Sequence, residues 1–388
     1  VHVAGSKGKA TTSTHIANIL TAAGFRTGLF TSPHLHSWRE RISIDGEMIA
    51  QTEFGQVGDR VLSVVQDFER LDRGMGAINA SEMLLAMALT HFSQSRCHFA
   101  VIEVGLGGRY DATNVVTPDV TVITELELEH AAILGPALAD IAWNKGGIIK
   151  SHIPVVALRP PVEAERVLRE IATEMEAPMR MEEREWVWKA TDNGVIVETP
   201  HRTIGDIVPS APGQHQRQNA ALAAVAVSQI EGADLPPSDD AIRAGIRHTR
   251  LLGHFEIVET DRGNFVLDVA HTPQSIDLLI KALQEVGIVR PRVVAGFLND
   301  KEIEDIVGKL AAVASSVTLA PVRNPRSASL EQIVRAAAPW PSVVRTVSQM
   351  SSALFPADSQ TDEPDWTVVT GSSALVAESR ERLGLAKR

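Results

Sequence analysis

The chain has 388 residues, 44% hydrophobic and 22% charged, with 37 basic against 48 acidic side chains and a net charge of −11. That balance belongs to a soluble globular protein with room for two or three domains, and it excludes disordered and fibrous chains. The acidic excess argues against nucleic acid as a partner, and no apolar run is long enough to suggest a membrane span or a leader.

In chain order, Val1 and Val3 alternate as a strand, Gly5 and Gly8 break it, and Ile16, Ala17, Ile19 and Leu20 carry a helix that Gly24 closes. A glycine turn between strand and helix lets backbone N–H groups approach an anion and adds the positive end of the helix dipole. Lys9 can then bridge phosphates, and Thr11 or Thr12 can offer a hydroxyl to Mg²⁺. Gly5, Ser6, Gly8, Lys9, Ala10, Thr11 and Thr12 are therefore candidate nucleotide-binding residues. The spacing is not the strict phosphate-loop pattern, because Val3 stands five before Gly8 and Ala10 follows Lys9. The chain opens inside this strand, which suggests that a natural N-terminal segment precedes it.

Residues 27–31 read as a second strand, followed by a loop from Ser32 to Ser37 in which Pro33 fixes a turn. Residues 40–46 suggest a short strand ending in a glycine turn, residues 53–70 a helix, and Gly74-Met75-Gly76 a flexible link. An apolar helix spans 80–92 with Glu82 near its start. Cys97, the single cysteine, excludes an intramolecular disulfide, fits a reducing compartment, and is expected to be a small buried apolar residue. Residues 99–104 are a near-continuous apolar run, typical of a parallel strand covered on both faces.

Glu103 ends that strand. A carboxylate there is costly unless paired, and the C-terminal ends of strands in open α/β sheets are where ligands sit. Gly105, Gly107 and Gly108 follow, then Arg109, Asp111, Thr113 and Asn114. The strand at 120–124 runs into Glu125, Glu127, Glu129 and His130, an oxygen-rich end that suits Mg²⁺, although any one of these acids alone is more often a solvated surface group. A helix over 138–145 reaches Lys145, and a strand over 154–158 continues the alternation, which implies a right-handed, mostly parallel sheet.

The period then changes. From about 180 to 208, Trp186, Trp188, Val195 and Val197 alternate around Asn193-Gly194, a hairpin signal for a small antiparallel annex. Gly213, His215 and Gln216 lead into Asn219 and an alanine-rich helix to about 230. The region 234–250 holds Pro236-Pro237 and a short helix, and the domain boundary is placed there. A second alternation follows, with strands at 265–269, 292–297, 317–320 and 366–370 separated by helices at 275–286, 301–314 and 329–337, and a final helix. Asp268 and His271 stand where its first strand ends, Asp300-Lys301 is expected to be an exposed ion pair, and the absence of Gly-x-Gly-x-x-Gly after that strand sets a dehydrogenase aside.

Taken together, these stretches resemble the ATP-dependent amide ligases of the Mur ligase superfamily, specifically its folylpolyglutamate synthase/dihydrofolate synthase branch. The resemblance covers nearly the whole chain. It is carried by Gly5 to Thr12, by Phe30 to Leu35 with Glu40-Arg41-Ile42, by Glu103 to Arg109 through Asp111 to Val115, and by His130 with Leu134-Gly135. Lys145 with Gly147 to Lys150, Gly213 with His215-Gln216 and Asn219 to Ala221, and Leu267-Asp268 with Ala270-His271 and Pro273 complete it. The Ser-Pro-His-Leu loop points to the folate branch rather than to cell-wall ligases.

The fold class the resemblance implies is α/β. An N-terminal P-loop-type three-layer ATPase domain, with mostly parallel sheet and the annex, covers 1–248, and a smaller Rossmann-like ligase domain covers 249–388. ATP, Mg²⁺ and both substrates meet in the family's interdomain cleft, where a carboxylate is phosphorylated and the amine of an amino acid, commonly glutamate, attacks the acyl phosphate. By resemblance Thr11, Ser32, Glu103 and His130 serve magnesium. Lys145 matches a lysine that the family carbamylates to help hold the second metal ion. Asn219 and Asp268 contact nucleotide, Lys9, Lys145, His254 and His271 are catalytic, and Ser32, Pro33, His34, Asp111, Thr113 and Asn114 face substrate. A cytoplasmic monomer acting on small molecules follows.

Departures touch the chemistry. Lys7 stands where the family usually has Asn, Ala10 for Gly or Thr, Glu129 for Asp, Asn144 for Glu and Thr272 for Asn. His254 stands where an arginine reaches the ATP phosphates, and a neutral imidazole lacks that fork of donors. Two alternatives stand beside the folate-type ligase: a divergent ligase with a different acid or amino acid, and a catalytically weak ATP-binding switch protein, which would bind nucleotide without turnover.

Overall fold

The computed structural model describes residues 1–70, 76–232, 235–355 and 366–386. Gly74 and Met75 of the expected link lie outside the described residues. The chain divides into two compact units, Val1–Ser210 with His215–Thr249, and Ala211–Gln214 with Arg250–Arg388.

In the first unit β1 (His2–Ala4) passes through the glycine turn into α1 (Lys9–Ala22), and β2 (Thr27–Phe30) follows. The strand expected from residue 40 starts later. Ser37 and Glu40 cap each other reciprocally, which holds Trp38–Arg41 in a 3-10 turn before β3 (Ile42–Ile44) and β4 (Glu47–Met48). Next come α2 (Gln51–Arg70), then α3 (Ala80–Gln94), capped in the same way by Asn79 and Glu82, and β5 (Phe99–Glu103). After β6 (Thr121–Ile123) the chain forms α4 (Ala131–Leu134), α5 (Leu138–Gly146), β7 (Val155–Ala157), α6 (Val162–Glu174) and β8 (Met179–Met181).

The sheet order is β4-β3-β2-β5-β1-β6-β7-β8, parallel except for β3 and β4. With β1 between β5 and β6, the glycine turn, Glu103 and the residues after Ile123 come to one edge of the sheet. Residues 180 and 181, expected in the annex, instead extend the main sheet, because Met179–Met181 pairs in parallel with β7. The annex is β9 (Val187–Ala190), β10 (Val195–Glu198) and β11 (Thr203–Ile207), with Asn193-Gly194 at its first turn.

Two helices close the unit, α7 (Gln214–Val227) and α8 (Asp239–Arg247). Ala220 to Val227 are all buried, between sheet residues such as Val101 and Val122 and annex residues such as Trp186 and Val197. A helix apolar on every side is covered on every side, and alanine lets both layers approach it. Close approach also sets Gly245 of α8, where an added Cβ would stand 2.4 Å from the Ile19 backbone nitrogen of α1. Gly245→Ala is expected to cost about 1–3 kcal/mol by prising the two helices apart. A urea midpoint equal to that of the parent protein would refute this.

The second unit comprises β12 (Glu256–Thr260), β13 (Gly263–Leu267), α9 (Pro273–Glu285), β14 (Arg292–Ala295), α10 (Ile303–Val313) and β15 (Ser316–Leu319). It ends with α11 (Leu330–Ala337), β16 (Val344–Thr346), α12 (Met350–Leu354), β17 (Trp366–Thr370) and α13 (Ser373–Arg382). Its sheet runs β12-β13-β17-β14-β15-β16 and is parallel apart from β12. Lys301 and Asp300 form the expected ion pair at 3.2 Å, with Asp300 exposed and Lys301 partly buried. Cys97 is only partly buried, against the cluster of Phe30, Phe92 and Ile102, and burial pushes its thiol up. Among the described residues no helix is long and apolar enough to cross a membrane.

Candidate active site

The glycine turn is built so tightly that no side chain fits at Gly5 or Gly8. Gly5 has φ +152° and an added Cβ would lie 1.8 Å from Thr124 Oγ1; Gly8 has φ +82° and the same atom would lie 2.3 Å from Asn219 Oδ1. The turn is stitched to the loop after β6. Ser6 N–H and Lys7 N–H donate to the Glu125 carbonyl at 2.7 and 3.3 Å, Thr124 Oγ1 donates to the Lys7 carbonyl at 2.6 Å, and Glu127 N–H donates to Ser6 Oγ at 3.0 Å.

Gly8 occupies the cap position of α1 and offers no side-chain acceptor, so the first N–H groups of a 14-residue helix face the turn uncapped. Thr12 and Ser13 are buried, and their hydroxyls have no hydrogen-bond partner among the described residues. Backbone donors and the helix dipole thus converge where an anion would sit.

Two ammonium groups share one carbonyl here. Lys9 Nζ donates to Gly5 O at 2.9 Å and to Ser6 O at 3.4 Å, while Lys145 Nζ donates to Gly5 O at 2.7 Å and to Glu129 at 3.0 Å. Lys145 is fully buried at the end of α5, and burial, then the charge of Lys9, push its pKa down to about 8 against the opposing pull of Glu129. Glu129 stood out in the sequence as one of a run of acids and as a departure from the family's Asp, and its pairing with Lys145 comes from the fold.

Glu103, 2% exposed, accepts a hydrogen bond from Ser32 N–H at 3.0 Å. Burial pushes it up to about 7, against the pull of Lys9, the Ser32 N–H and Arg41. The protein's own cations therefore do not fully support its ionised form. Among the described residues no three His, Cys, Asp or Glu side chains converge on a metal-sized space. A divalent ion held here would rest on one carboxylate, hydroxyls and ligand oxygens, which is the donor set that Mg²⁺ accepts. His130 is exposed at the start of α4, with φ 49°, and no hydrogen bond ties it to Lys9 or Glu103.

The loop after β2 is organised by Glu40, whose carboxylate accepts the N–H groups of Leu35, His36 and Ser37 at 2.8, 2.9 and 2.9 Å. The Ser32–Pro33 bond is cis. His34 Nδ1 accepts from Arg41 Nε at 3.0 Å, and its ring lies 4.5 Å from that of Trp38. Burial, then Arg41, lower the His34 pKa, so the ring is a neutral acceptor.

Asp111, Thr113 and Asn114 brace their own loop. Asp111 accepts from Thr113 N–H and Oγ1 at 3.0 and 2.6 Å and from Leu106 N–H at 3.0 Å, and Thr113 Oγ1 lies 2.9 Å from His2 Nε2. Asn114 donates to the carbonyls of Arg109 and Gly147 at 3.0 and 3.2 Å.

In the second unit Asp268 follows β13. It accepts Phe255 N–H and Ala270 N–H, both at 2.8 Å, and burial raises its pKa while the nearby His254 pulls it back. His254 Nδ1 lies 3.0 Å from the Leu252 carbonyl, in a turn shaped by positive φ at Gly253 and Phe255. His271 Nδ1 lies 2.8 Å from the Val269 carbonyl.

The chain is similar to known proteins over nearly its whole length. Residues 3–227 match the Mur ligase middle domain and residues 253–373 the Mur ligase glutamate ligase domain. The dihydrofolate synthase/folylpolyglutamate synthase of Escherichia coli is 31% identical over 98% of this chain and 85% of its own. The Mycobacterium tuberculosis folylpolyglutamate synthase, solved with ADP and AMPPCP, superposes with a TM-score of 0.88 at 30% identity, covering 100% of this chain and 91% of that one. A bifunctional folylpolyglutamate synthase/dihydrofolate synthase of Yersinia pestis, solved with AMPPNP and a Mn ion, gives 0.84 at 31% identity over 99% and 88%.

Proposed function

We infer the chemistry from one premise: this chain belongs to the Mur ligase family, and within it to the folylpolyglutamate synthase/dihydrofolate synthase group. It is an ATP-dependent carboxylate–amine ligase. We propose that the acid is of the folate type, that the amine is that of glutamate, and that the enzyme is a cytoplasmic monomer. The domains proposed are 1–248 for ATP binding and 249–388 for ligation, supported by family matches at 3–227 and 253–373.

One observation carries the reading: an uncapped helix end and Lys9 meet at a turn that admits no Cβ at Gly5 or Gly8, within the field of the buried carboxylate of Glu103. In the first step an acceptor carboxylate oxygen bonds to the γ-phosphorus and the bond from that phosphorus to the ADP oxygen breaks. In the second the amine nitrogen bonds to the acyl carbon, phosphate leaves, and the surplus amine proton passes to solvent. Mg²⁺, when bound, neutralises phosphate charge.

The residues proposed to cradle phosphate are Gly5, Ser6, Gly8, Lys9, Ala10, Thr11 and Thr12, with Asn219 packed against Gly8. Thr11, Ser32, Glu103, His130 and Lys145 are proposed for the metal ions. Lys9 and the helix end would hold the γ-phosphate while charge shifts onto the leaving oxygen, which is mostly positioning and electrostatics. His34 with Ser32 and Pro33, and Asp111, Thr113 and Asn114 through the loop they brace, are proposed for the acceptor. Asp268, His254 and His271 are proposed for the ligase domain's share of nucleotide and catalysis.

The test is ADP and phosphate release with ATP, Mg²⁺, glutamate and a panel of pteroate and folate acids. Turnover with those acids is the expected result. Turnover only with other acids would overturn the substrate, and nucleotide binding with no turnover on any acid would overturn the reaction.

A further inference from the structure

We propose that Arg41 receives the carboxylate of the acceptor acid through the two Nη groups of its guanidinium. The proposal rests on the ligase reading above and deepens it, since it names the side chain that selects an acid over a neutral analogue. Arg41 closes the 3-10 turn Trp38–Arg41, and its Nε donates to His34 Nδ1 at 3.0 Å. Among the described residues its Nη1 and Nη2 make no hydrogen bond and no ion pair. The neighbouring charges are already committed. The Glu40 carboxylate accepts the N–H groups of Leu35, His36 and Ser37, and Arg39 Nε donates to the Ile49 carbonyl at 3.0 Å.

The first sheet brings that fork to the site. Phe30 of β2 pairs with Ile42 of β3 on one side and with Ile102 of β5 on the other, so Arg41, Thr31 and Glu103 stand in one row, a residue further along. Thr31 N–H donates to the Arg41 carbonyl at 3.1 Å, and Ser32 N–H donates to the Glu103 carboxylate at 3.0 Å. Neighbouring strands are about 4.8 Å apart, which puts the Arg41 and Glu103 backbones about 10 Å apart. The two side chains sense each other without forming an ion pair. On the far side of β5 lies β1, which leads into the glycine turn. Against burial, both Lys9 and Arg41 favour the Glu103 carboxylate, so Glu103 stands between a phosphate-side cation and a second cation two strands away.

A bracing arginine is the plainer explanation, since the guanidinium carbon lies 4.8 Å from the centre of the Trp38 ring. That contact uses the face of the guanidinium and the His34 bond uses Nε, so neither employs the fork. Trp38 is itself 47% exposed, and little of the core depends on holding it. Burial works against the charge of Arg41, and Glu103 offsets this only in part. A half-buried cation with N–H groups left over is costly until an anion completes it, and a planar carboxylate matches the fork in two parallel bonds. The reaction delivers such an anion to a triphosphate, where like charges repel. A fixed cation on the acid's side of Glu103 offsets that repulsion and orients the attacking oxygen.

The experiment measures the binding of pteroate and of its uncharged carboxamide to protein loaded with Mg-AMPPNP, for the parent, Arg41→Lys and Arg41→Gln. Each variant is first checked for an unchanged melting curve, with Arg41→Met standing in where Arg41→Gln melts early. The parent should prefer the acid. Arg41→Gln is expected to weaken pteroate on the order of 10²-fold and to leave the carboxamide within about threefold, so that the preference collapses. Arg41→Lys keeps the charge without the fork and should lose roughly tenfold on pteroate. In turnover the loss should fall on KM for the acid, with KM for ATP within about threefold of the parent. A mere brace would weaken acid and carboxamide alike, and a counter-ion of Glu103 would weaken Mg-AMPPNP instead.

Equal weakening of acid and carboxamide, near-parental pteroate affinity in Arg41→Gln, or a loss confined to Mg-AMPPNP would each overturn the proposal. In all three cases the parent still binds pteroate and the ligase reading stands. A parent that takes Mg-AMPPNP but not pteroate would overturn the folate assignment instead, and the same comparison is then made with the acid that does turn over and its amide. A parent that turns over no acid would remove both.

Discussion

Glu103→Gln is expected to make the protein more stable and nearly inactive at the same time. The carboxyl has a pKa of about 7 in the fold against 4.5 as its ordinary value, and burial is the largest cause. Because the folded value is the higher one, the folded state binds the extra proton between these two values. The stabilising share of Glu103 is thus fully present below pH 4.5 and is lost as pH rises through about 7. At pH 8 the parent carries a buried, under-compensated carboxylate, and the amide should recover on the order of 3 kcal/mol.

Catalysis runs the other way. A neutral amide cannot supply the charge that Mg²⁺ requires, so turnover should fall roughly 10³-fold. Nucleotide-metal binding at pH 6 should also release close to one proton from the parent and none from the variant. Urea melts at pH 5 and 8, a phosphate-release assay, and calorimetry in two buffers of different ionisation enthalpy measure all three. A variant less stable than the parent at pH 8 would remove the account of Glu103 as an unpaired metal-directed carboxylate.

The second large effect is expected at Lys145. A buried lysine whose pKa is pushed down to about 8 keeps an appreciable share of free amine near neutral pH. Free amine is the form that attacks carbon dioxide: an N–C bond forms, one proton leaves, and a carbamate replaces the ammonium. That exchange would turn a cation beside Lys9 into an oxygen ligand on the metal side of the turn. Stripping bicarbonate should therefore lower turnover at pH 8.5, where more of the amine is free to carry carbamate, more than at pH 6.5, and added bicarbonate should restore it. Lys145→Met should lose on the order of 10²-fold whatever the bicarbonate level. Turnover indifferent to bicarbonate at both pH values would show that Lys145 acts as a plain ammonium.

Much of the fold was legible because its signals are local. The apolar run ending at Glu103, the glycine turn and Asn193-Gly194 each carry their geometry in consecutive residues. What escaped depends on partners distant in sequence. Met179–Met181 reads like the first strand of the annex until β7 is known to lie beside it, and Glu256–Thr260 pairs only with the next strand, as an edge. The helix Val162–Glu174 did carry a signal, since Ala164, Leu168, Ile171 and Ala172 share one buried face.

At the candidate site Lys9, Glu103, Ser32 and Lys145 come to one region because β1 lies between β5 and β6. The pairing of Glu129 with Lys145 was not legible, since it joins the loop after β6 to the end of α5. Nor was the inward turn of Asp111 and Thr113 toward each other and His2, which spacing alone does not distinguish from an outward one.

The carbonyl of Gly5 accepts from two lysines, and this dictates an order of events. While Lys9 rests there, its positive field keeps the neighbouring amine easier to deprotonate; once a triphosphate draws Lys9 away and cancels that field, the amine becomes more basic and slower toward carbon dioxide. Priming of Lys145 should accordingly precede nucleotide entry, so that enzyme preincubated with bicarbonate starts without a lag and enzyme preincubated with ATP does not.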